Sequence, residues 1–320
     1  MSQKIHLEII IPEELAGLRL DLALAQLLPD HTRSQIQGWL KKGEITINGK
    51  IPRARDIVTG DEQVLIAASA KFQPEYLAQD IALQIVYEDD DVLVINKPAG
   101  MVVHPGAGNA QNTLLNAILH HAPALHTLPR AGILHRLDKD TSGLLLIAKT
   151  QTALTYLSRQ LKAHKIKRIY QAIVSGILIS GKTIDEPIGR HPMQRTKMTV
   201  TQAGKPSVTH YRVMERYRAH TRIKLELETG RTHQIRVHMA HTRHPLLGDQ
   251  TYGGRLQLPK NATPELVNAL RTFKRQALHA IELQFTHPTS KELITCNAPI
   301  PNDLQELIKV LVEDNKHVRK

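Results

Sequence analysis

The segment HRLDKDTSG at residues 135–143 constrains this chain more than any other stretch of its sequence. Residues 129–132, which include a proline and a glycine, predict a turn before it. The apolar run 144–147 predicts a buried strand after it. A polar loop that leads into a buried strand can hold a side chain rigidly at the edge of a cleft, and Asp138 lies in the middle of this loop.

Two roles are open to Asp138. The triplet Arg-Leu-Asp is weak evidence by itself, because it recurs at residues 19–21, where we expect Asp21 to be a structural residue at the start of a helix. In the simpler interpretation, Asp138 pairs with Arg136 or Lys139 and only holds the loop in place. The longer context of the loop favours a catalytic carboxylate.

The distribution of charge indicates a polyanionic partner. The 320 residues carry a net charge of +12, and residues 159–243 contain 18 Lys and Arg against 5 Asp and Glu, a surplus of 13. Clustered cations bind phosphates by displacing counterions. Aromatic residues make up only 3% of the chain, which disfavours an aromatic stacking platform and favours phosphate contact and shape readout.

Composition also bears on the compartment. A hydrophobic content of 41% supports a globular core, and the absence of a run of 18 apolar residues predicts no membrane span. The first residues lack the apolar core of a signal peptide. The single Cys296 excludes an internal disulfide and fits a reducing compartment. We therefore expect a cytoplasmic protein.

Residues 1–72 predict a small α/β unit. Apolar residues at helical spacing after Gly17 and again over 34–41 predict two helices, and the stretches 44–50 and 64–66 predict two strands. The pair Asn48-Gly49 predicts a tight turn. This order resembles the S4-type RNA-binding domain. The unit is neutral overall but contains a local basic cluster, formed by Arg33, Lys41, Lys42, Lys50, Arg53 and Arg55.

A larger domain is predicted over 83–310, between a linker at 73–82 and a flexible tail at 311–320. Its strand-like stretches alternate with a few helical ones, which predicts an α+β fold around a mostly antiparallel mixed sheet. The predicted helices cover 114–120 and 152–163, and the predicted strands cover 143–148, 170–174, 209–214 and 222–228.

Several segments resemble the pseudouridine synthases that act on ribosomal RNA. The loop at 135–143 is similar to their main motif, H-R-L-D-x-x-T-S-G, and residues 96–106 resemble their first motif. The stretch KRIYQA at 167–172 is similar to the segment that supplies an active-site tyrosine, and residues 227–238 resemble the third motif. With the S4-like unit, the resemblance covers nearly the whole chain and is greatest to the D type of the bacterial large-subunit enzymes.

The resemblance implies three catalytic residues. Asp138 is the catalytic carboxylate, Tyr170 stacks on the target uracil and can move a proton, and Arg236 pairs with Asp138. The alternative for Tyr170 is an ordinary core aromatic in a strand. The pairing has a physical reason, because arginine favours the charged form of a buried carboxylate and can hold it with two parallel hydrogen bonds. We also expect Thr232 to cap the helix that carries Arg236.

The implied reaction converts uridine to pseudouridine in 23S rRNA, in the loop of helix 69 or at another large-subunit site. The uridine is flipped out, its glycosidic bond is broken, and the base is rejoined through carbon. Asp138 attacks C1′ of the ribose or C6 of the uracil, or acts as a base at the ribose; all three routes stay open. The expected RNA contacts are His135, Arg136, Arg33, Lys41, Lys42, Arg53, Arg190, Arg195, Lys197 and Lys205.

Other classes fit the sequence less well. The histidines at 233, 238, 241 and 244 lack the H-E-x-x-H order, so we expect no metal site, which disfavours a metal-dependent nuclease. We also expect no nucleotide or other small-molecule cofactor. A non-catalytic ribosome-assembly factor explains the charge and the S4-like unit, but not Asp138, Tyr170 and Arg236 together. We expect a monomer without membrane contact whose partner is large-subunit rRNA, a precursor or the 50S particle.

Overall fold

The computed structural model describes residues 4–29, 31, 33–69, 76–106 and 108–318. The chain divides into two compact units, Met1–Glu75 and Tyr76–Lys320. Across the described part of the chain, every helix is too short or too polar to cross a membrane.

The smaller unit packs two helices on a three-stranded antiparallel sheet. Its elements are β1 (Lys4–Ile10), α1 (Leu20–Leu27), α2 (Arg33–Lys42), β2 (Ile45–Ile47) and β3 (Gln63–Ser69), with strand order β1-β3-β2. Both predicted helices are present, and Leu20 and Leu24 are buried as their spacing predicts. Asn48 and Gly49 have φ values of 47° and 77°, so they form the tight turn after β2 that the Asn-Gly pair predicts. Strand β1 was not predicted.

Asp21 ties the two helices of this unit together. Its side chain is fully buried on α1 and receives hydrogen bonds from Arg19 (3.0 Å), Arg33 (2.7 Å) and Gln37 (2.5 Å). Burial opposes charge on Asp21, but these donors outweigh it and hold the pKa of the carboxyl below its ordinary value. The expected structural role of Asp21 is confirmed.

The larger unit is built on a nine-stranded mixed sheet. Its strands are β4 (Ile85–Glu88), β5 (Val92–Lys97), β6 (Ser142–Ala148), β7 (Lys167–Ser175), β8 (Lys182–Asp185), β11 (Val208–Arg216), β12 (His220–Leu227), β13 (Leu278–Thr286) and β14 (Leu293–Asn297). The order is β4-β5-β6-β13-β7-β12-β11-β8, and β14 pairs with β13. Only the β6–β13 pairing is parallel, so the predicted α+β fold with a mostly antiparallel sheet is confirmed.

The remaining elements surround this sheet or extend from it. A separate two-stranded hairpin joins β9 (Ile188–Arg190) to β10 (Met198–Val200). The helices are α3 (Leu114–His121), α4 (Gln151–Lys162), α5 (Gln234–His241), α6 (Pro264–Thr272) and α7 (Asn302–Val318).

Strand β6 is the rigid base on which the polar loop ends. All seven of its residues are buried, because Leu145 and Ile147 join the core on one face of the sheet while Leu144 and Leu146 join the core on the other. Gly143 has a φ of 114° and lies so close to the backbone of Ala280 on β13 that a Cβ atom would clash with it. Glycine is therefore required where the loop enters the sheet.

Two predicted boundaries need correction. The linker at 73–82 lies outside the described residues up to residue 75, and residues 76–82 are bound to the larger unit, since Gln79 and Leu77 exchange hydrogen bonds with Asn116 on α3. The flexible tail predicted from residue 311 is wrong as far as residue 318. Helix α7 continues there, with Leu311 and Asp314 buried, because apolar residues at helical spacing extend into the supposed tail.

Candidate active site

Asp138 lies in the loop that leads into β6, as the sequence predicts. The backbone N–H of Thr141 donates to the carbonyl of Asp138 (3.1 Å), which closes a tight turn around the side chain. The Asp138 side chain is 15% exposed, so it is shielded but remains accessible. The partner of the carboxylate is Arg236 from α5, and not Arg136 or Lys139 as expected if Asp138 only held its own loop in place.

Buried side chains from other elements hold this loop. Lys97 at the end of β5 is fully buried, and its Nζ donates to the carbonyls of Pro98 (2.7 Å), Met101 (2.9 Å) and Lys139 (3.0 Å). Burial lowers the pKa of Lys97 to about 7, although Asp140 and Asp138 partly oppose the shift. Lys97 therefore joins the first motif to the residue that follows Asp138.

His135 has an anchoring contact in the same loop. Its Nε2 accepts a hydrogen bond from the backbone N–H of Leu146 on β6 (3.1 Å). Burial lowers the pKa of the His135 imidazole to about 3, which is consistent with a neutral ring that accepts this bond. The contact fixes the start of the loop to the strand.

Arg236 binds two carboxylates at once. Its Nε and Nη2 donate to the two oxygens of Asp249 (2.7 and 2.9 Å), and its Nη1 donates to Oδ2 of Asp138 (3.1 Å). The expected pair with Asp138 is present, but the two-pronged bond belongs to Asp249. Burial opposes the charge on Arg236, yet Asp249 and Asp138 outweigh it and raise the pKa of the guanidinium.

Asp249 is thus the fixed support of the arginine. It also accepts from the backbone N–H groups of Thr251 (2.8 Å) and Tyr252 (3.1 Å). Burial tends to raise the pKa of Asp249, but the bonds from Arg236 and from these two amides hold it below its ordinary value. Arg236 therefore reaches Asp138 from a rigid base and leaves the second oxygen of Asp138 open to other contacts.

Tyr170 and Asp138 line one cavity of about 690 Å³, the size of a small-ligand pocket. Tyr170 lies on β7 and is 4% exposed. Burial raises the pKa of Tyr170; Arg168 opposes the shift and Asp138 adds to it. The structure therefore places Tyr170 both in the core, as the alternative interpretation holds, and at the wall of the cavity beside Asp138.

The cavity wall is predominantly basic. Six arginine and lysine side chains line it against two carboxylates, Asp138 and Glu228. A cavity of this charge fits a phosphorylated ligand better than a neutral one. The basic residues are Arg130, Arg136, Lys162, Arg168, Arg231 and Arg236.

The helix that carries Arg236 begins differently from the prediction. Helix α5 is preceded by His233 in a left-handed conformation (φ 57°), and Thr232 does not cap it. Gln234 instead accepts from the backbone N–H of Arg231 (2.9 Å) and the hydroxyl of Thr229 (2.8 Å). The left-handed turn brings Nε2 of His233 to 3.9 Å from Oδ1 of Asp138.

The expected RNA contacts lie in three places. Arg136 is exposed at the cavity, while His135 is held against β6. Arg190, Arg195, Lys197 and Lys205 lie on or beside the β9–β10 hairpin, where Lys197 is half-buried and the other three are exposed. In the smaller unit, Lys41, Lys42 and Arg53 are exposed, and Arg33 is engaged by Asp21.

The clustered histidines have separate partners. His238 contacts the Thr209 hydroxyl (2.8 Å) and the Glu186 carbonyl (3.0 Å), and His244 contacts the Ser175 carbonyl (3.0 Å). Among residues 4–29, 31, 33–69, 76–106 and 108–318, no group of three or more His, Cys, Asp or Glu side chains is arranged to hold a metal ion.

Comparisons with known proteins show the family of the chain. Family models for RNA pseudouridylate synthase and for the S4 domain match residues 91–241 and 18–64. Three relatives are named ribosomal large subunit pseudouridine synthase D. The Pseudomonas aeruginosa protein is 53% identical over 99% of both chains. The Pasteurella multocida protein is 56% identical over 93% of this chain and 92% of its own, and the Escherichia coli K12 protein is 51% identical over 98% and 97%.

The chain belongs to the RNA pseudouridylate synthase family. The resemblance found in the sequence, including its closeness to the D type, is therefore confirmed. Human RNA Pseudouridylate Synthase Domain Containing 1 superposes with a TM-score of 0.53 at 26% identity, over 73% of this chain and 96% of its own. Domain Containing 4 superposes with a TM-score of 0.56 at 24% identity, over 72% and 93%, and supports the fold.

Sequence reasoning missed several residues around the family's main motif. The sequence assigns no role to Asp249 or Tyr252, and Lys97 lies in the segment 96–106 that resembles the first motif without a role of its own. His233 was considered only as a possible metal ligand. The one signal for Lys97 and His233 is their place inside the segments 96–106 and 227–238, which resemble family motifs. None of the four residues is close in sequence to Asp138.

Proposed function

We propose that this protein isomerises uridines of large-subunit ribosomal RNA to pseudouridine, with Asp138 as the catalytic carboxylate. The observation that carries the proposal is the meeting of three distant side chains at one basic cavity. Asp138, Tyr170 and Arg236 come from a loop, a strand and a helix, and all three line it. A protein that only binds RNA has no need for a shielded, arginine-bound carboxylate at the wall of such a cavity.

The target nucleotide enters the cavity by flipping out of its RNA. Flipping costs least where base pairing is already weak, as in a loop. Arg136 is exposed at the cavity, where it can fill the vacated space or contact a phosphate. His135 contributes by holding the loop that carries Arg136 against β6.

Asp138 then begins the reaction. Arg236 holds Oδ2, and Oδ1 stays available to attack C1′ of the ribose or C6 of the uracil, or to accept a proton from the ribose. The bond between N1 and C1′ breaks and leaves its electron pair on N1, the uracil rotates, and a bond forms between C5 and C1′ while any bond between Asp138 and the substrate breaks. N1 takes up a proton in place of the one that C5 loses. The proton on C5 is lost, and Tyr170 provides a surface for the ring and a hydroxyl that can relay that proton.

The substrate assignment rests on the relatives and on charge. Relatives that align over nearly their full length are named for the large ribosomal subunit, and the D-type resemblance points to the loop of helix 69 in 23S rRNA. The S4 domain supplies a second RNA-binding unit. We propose that the protein acts in the cytoplasm as a monomer, without a small-molecule cofactor, on rRNA, a precursor or the 50S particle.

Two basic surfaces are proposed to grip the RNA. One comprises Lys41, Lys42, Arg53 and Arg33 in the S4 domain, where the guanidinium of Arg33 also binds Asp21. The other is the hairpin surface, which we define as Arg190, Arg195, Lys197 and Lys205. Each exposed cation adds phosphate affinity by releasing counterions, independently of base sequence.

The decisive experiment is tritium release from rRNA labelled at C5 of uridine. The wild-type protein should release tritium from 23S rRNA or from precursor large subunits, and Asp138→Asn should release none while still binding the RNA. Asp140→Asn is the matched control, because it removes a carboxylate two residues away in the same loop and should stay active. If the wild-type protein released no tritium from either substrate, the non-catalytic assembly factor would become the better assignment.

A further inference from the structure

Tyr252 contacts three side chains that surround the Asp138 carboxylate: Arg236, Asp249 and His233. Its backbone N–H donates to Asp249 (3.1 Å), and its ring lies 5.0 Å beneath the guanidinium of Arg236. The same ring meets His233 edge-on, with centroids 5.6 Å apart. Its hydroxyl lies 2.8 Å from the backbone nitrogen of Met198 on β10 and 2.8 Å from Nδ1 of His233.

The hydrogen-bond pattern of this hydroxyl favours one position for the proton of His233. The N–H of Met198 can only donate, so it occupies a lone pair of the Tyr252 oxygen. Donation of the hydroxyl proton to Nδ1 of His233, 2.8 Å away, gives that proton an acceptor. An Nδ1–H bond to the second lone pair of the oxygen would instead leave the hydroxyl proton without an acceptor among the contacts of the described residues. A neutral imidazole that accepts at Nδ1 carries its proton on Nε2, and that nitrogen lies 3.9 Å from Oδ1 of Asp138.

We propose that Tyr252 is a positioning residue for the isomerisation, because it fixes His233 as the tautomer whose Nε2–H faces Asp138. Arg236 holds Oδ2 of the carboxylate by a hydrogen bond. The Nε2–H of His233 faces Oδ1 from 3.9 Å, near enough to orient the carboxylate electrostatically but too far to occupy the attacking lone pair with a hydrogen bond. The inference rests on the proposed function, since it assigns a role to Asp138. It adds a second support for the carboxylate and joins that support to β10, next to the hairpin surface.

The Tyr252 hydroxyl should have a measurable effect on the pKa of His233. Burial lowers the pKa of His233; Asp138 and Asp249 oppose the shift, and Arg236 and Arg136 reinforce it. The Tyr252 hydroxyl favours the neutral ring by donating to Nδ1. Without that donor, the pKa of His233 should rise, and an imidazolium would form beside Asp138 at a higher pH than in the wild type. Such an ion pair would weaken the carboxylate as a nucleophile.

The first test does not depend on activity. Nitrogen NMR of the full-length protein labelled with ¹⁵N-histidine should show His233 protonated at Nε2 and bare at Nδ1, with the resonance assigned by its loss in His233→Gln. Tyr252→Phe should abolish this preference while keeping the ring and the backbone N–H. A wild-type His233 protonated at Nδ1 would overturn the proposal.

The second test is kinetic. Tyr252→Phe should lower kcat for tritium release about 10- to 100-fold, the range expected when a reacting group is misplaced, and should change KM little. The acid limb of its pH profile should move to higher pH. Tyr217→Phe is the matched control, because Tyr217 is also buried but bonds Glu215 instead of an active-site residue. It should leave kcat and the pH profile unchanged.

A double-mutant cycle separates this role from general loss of structure. If Tyr252 acts through His233, Tyr252→Phe should have almost no further effect on kcat in a His233→Ala background. His233→Gln, which keeps an N–H donor, should retain more activity than His233→Ala. If the effects of Tyr252→Phe and His233→Ala on kcat multiplied in the double variant, the proposal would be overturned. A wild-type protein without any tritium release would refute the proposed function, while the NMR result would still decide the tautomer.

Discussion

The triplet Arg-Leu-Asp occurs twice in this chain, and its two aspartates have opposite environments. Asp21 in the S4 domain is fully buried and receives hydrogen bonds from Arg19, Arg33 and Gln37. Asp138 in the catalytic domain is 15% exposed at a cavity and, among the described residues, receives one side-chain hydrogen bond, from Arg236. Identical local sequence has therefore produced a saturated carboxylate in one domain and an accessible one in the other.

The difference shows what a reactive carboxylate requires. When several donors surround a buried carboxylate, it contributes to stability and has no lone pair free for a substrate. An attacking carboxylate needs one oxygen held and the other free, and the holding group must itself be rigid. Asp249 provides this rigidity, because it binds Arg236 with two bonds and is bound in turn by backbone amides.

The largest expected effect is on catalysis and separates the two aspartates. Asp138→Asn should lower kcat for tritium release by roughly 10⁴-fold or more, as removal of a reacting group does. Asp21→Asn should change kcat at saturating rRNA less than about tenfold, because Asp21 holds two helices and no substrate. If Asp21→Asn abolished kcat in protein that is still folded, the contrast between the two sites would be wrong.

The second prediction concerns Asp249, which is buried and ion-paired like Asp21 and supports the arginine that binds Asp138. Asp249→Asn should lower kcat about 100-fold by loosening Arg236 and should reduce the free energy of unfolding by about 3 kcal/mol, because it leaves a buried arginine without its main partner. Tritium release and urea titration measure the two effects. Asp303→Asn is the control, since Asp303 binds Arg275 with the same two-pronged geometry but is half-exposed. Its free energy of unfolding should fall by less than about 1 kcal/mol.

The pH dependence of stability gives a further check on Asp249. Its folded-state pKa lies below the ordinary value of 3.8, so its contribution is fully present above about pH 4 and is lost as the pH falls through the lowered pKa. The difference in unfolding free energy between the wild type and Asp249→Asn should therefore be constant from pH 5 to pH 8, within about 0.5 kcal/mol. A difference that vanished near neutral pH would contradict the buried ion pair.

The next prediction concerns the stability of the S4 domain. Asp21→Asn should reduce its free energy of unfolding by about 1–3 kcal/mol, because charge-assisted bonds to two arginines are lost inside the unit. Urea unfolding followed by fluorescence of the single Trp39, which is buried in this unit, measures the effect. Asp56→Asn is the control, since Asp56 is exposed and accepts one bond from the Arg53 backbone (2.7 Å). Equal losses in the two variants would remove the special role of Asp21.

The smallest expected effect tests the hairpin surface. Replacing Arg195 and Lys197 by Ala should reduce the slope of log affinity against log salt by about 1 to 2, because each phosphate contact contributes close to one unit. The control is Lys309→Ala with Lys316→Ala, which removes two exposed cations from α7. An unchanged slope in the hairpin variant would exclude these two residues from phosphate contact.

Much of this arrangement could be predicted from local pattern. The buried β6, the two helices of the S4 domain and the Asn48-Gly49 turn follow from periodicity and turn chemistry, which act over a few residues. The pairing of Asp138 with Arg236 followed from the family resemblance. The identity of the residue that receives the arginine fork did not, because Asp249 meets Arg236 only when the segment after α5 folds back against that helix.

The sequence by itself determined the two-domain division, several of the helices and strands, and the place of the proposed catalytic carboxylate in the H-R-L-D loop. Only the tertiary structure decided which aspartate is saturated and which is accessible, where the arginine fork binds and how Tyr252 and His233 approach Asp138. The physical reason is the difference in range along the chain between the interactions involved. Helix and strand patterns arise from neighbours along the chain, whereas the state of a carboxylate depends on donors and water brought to it by distant segments.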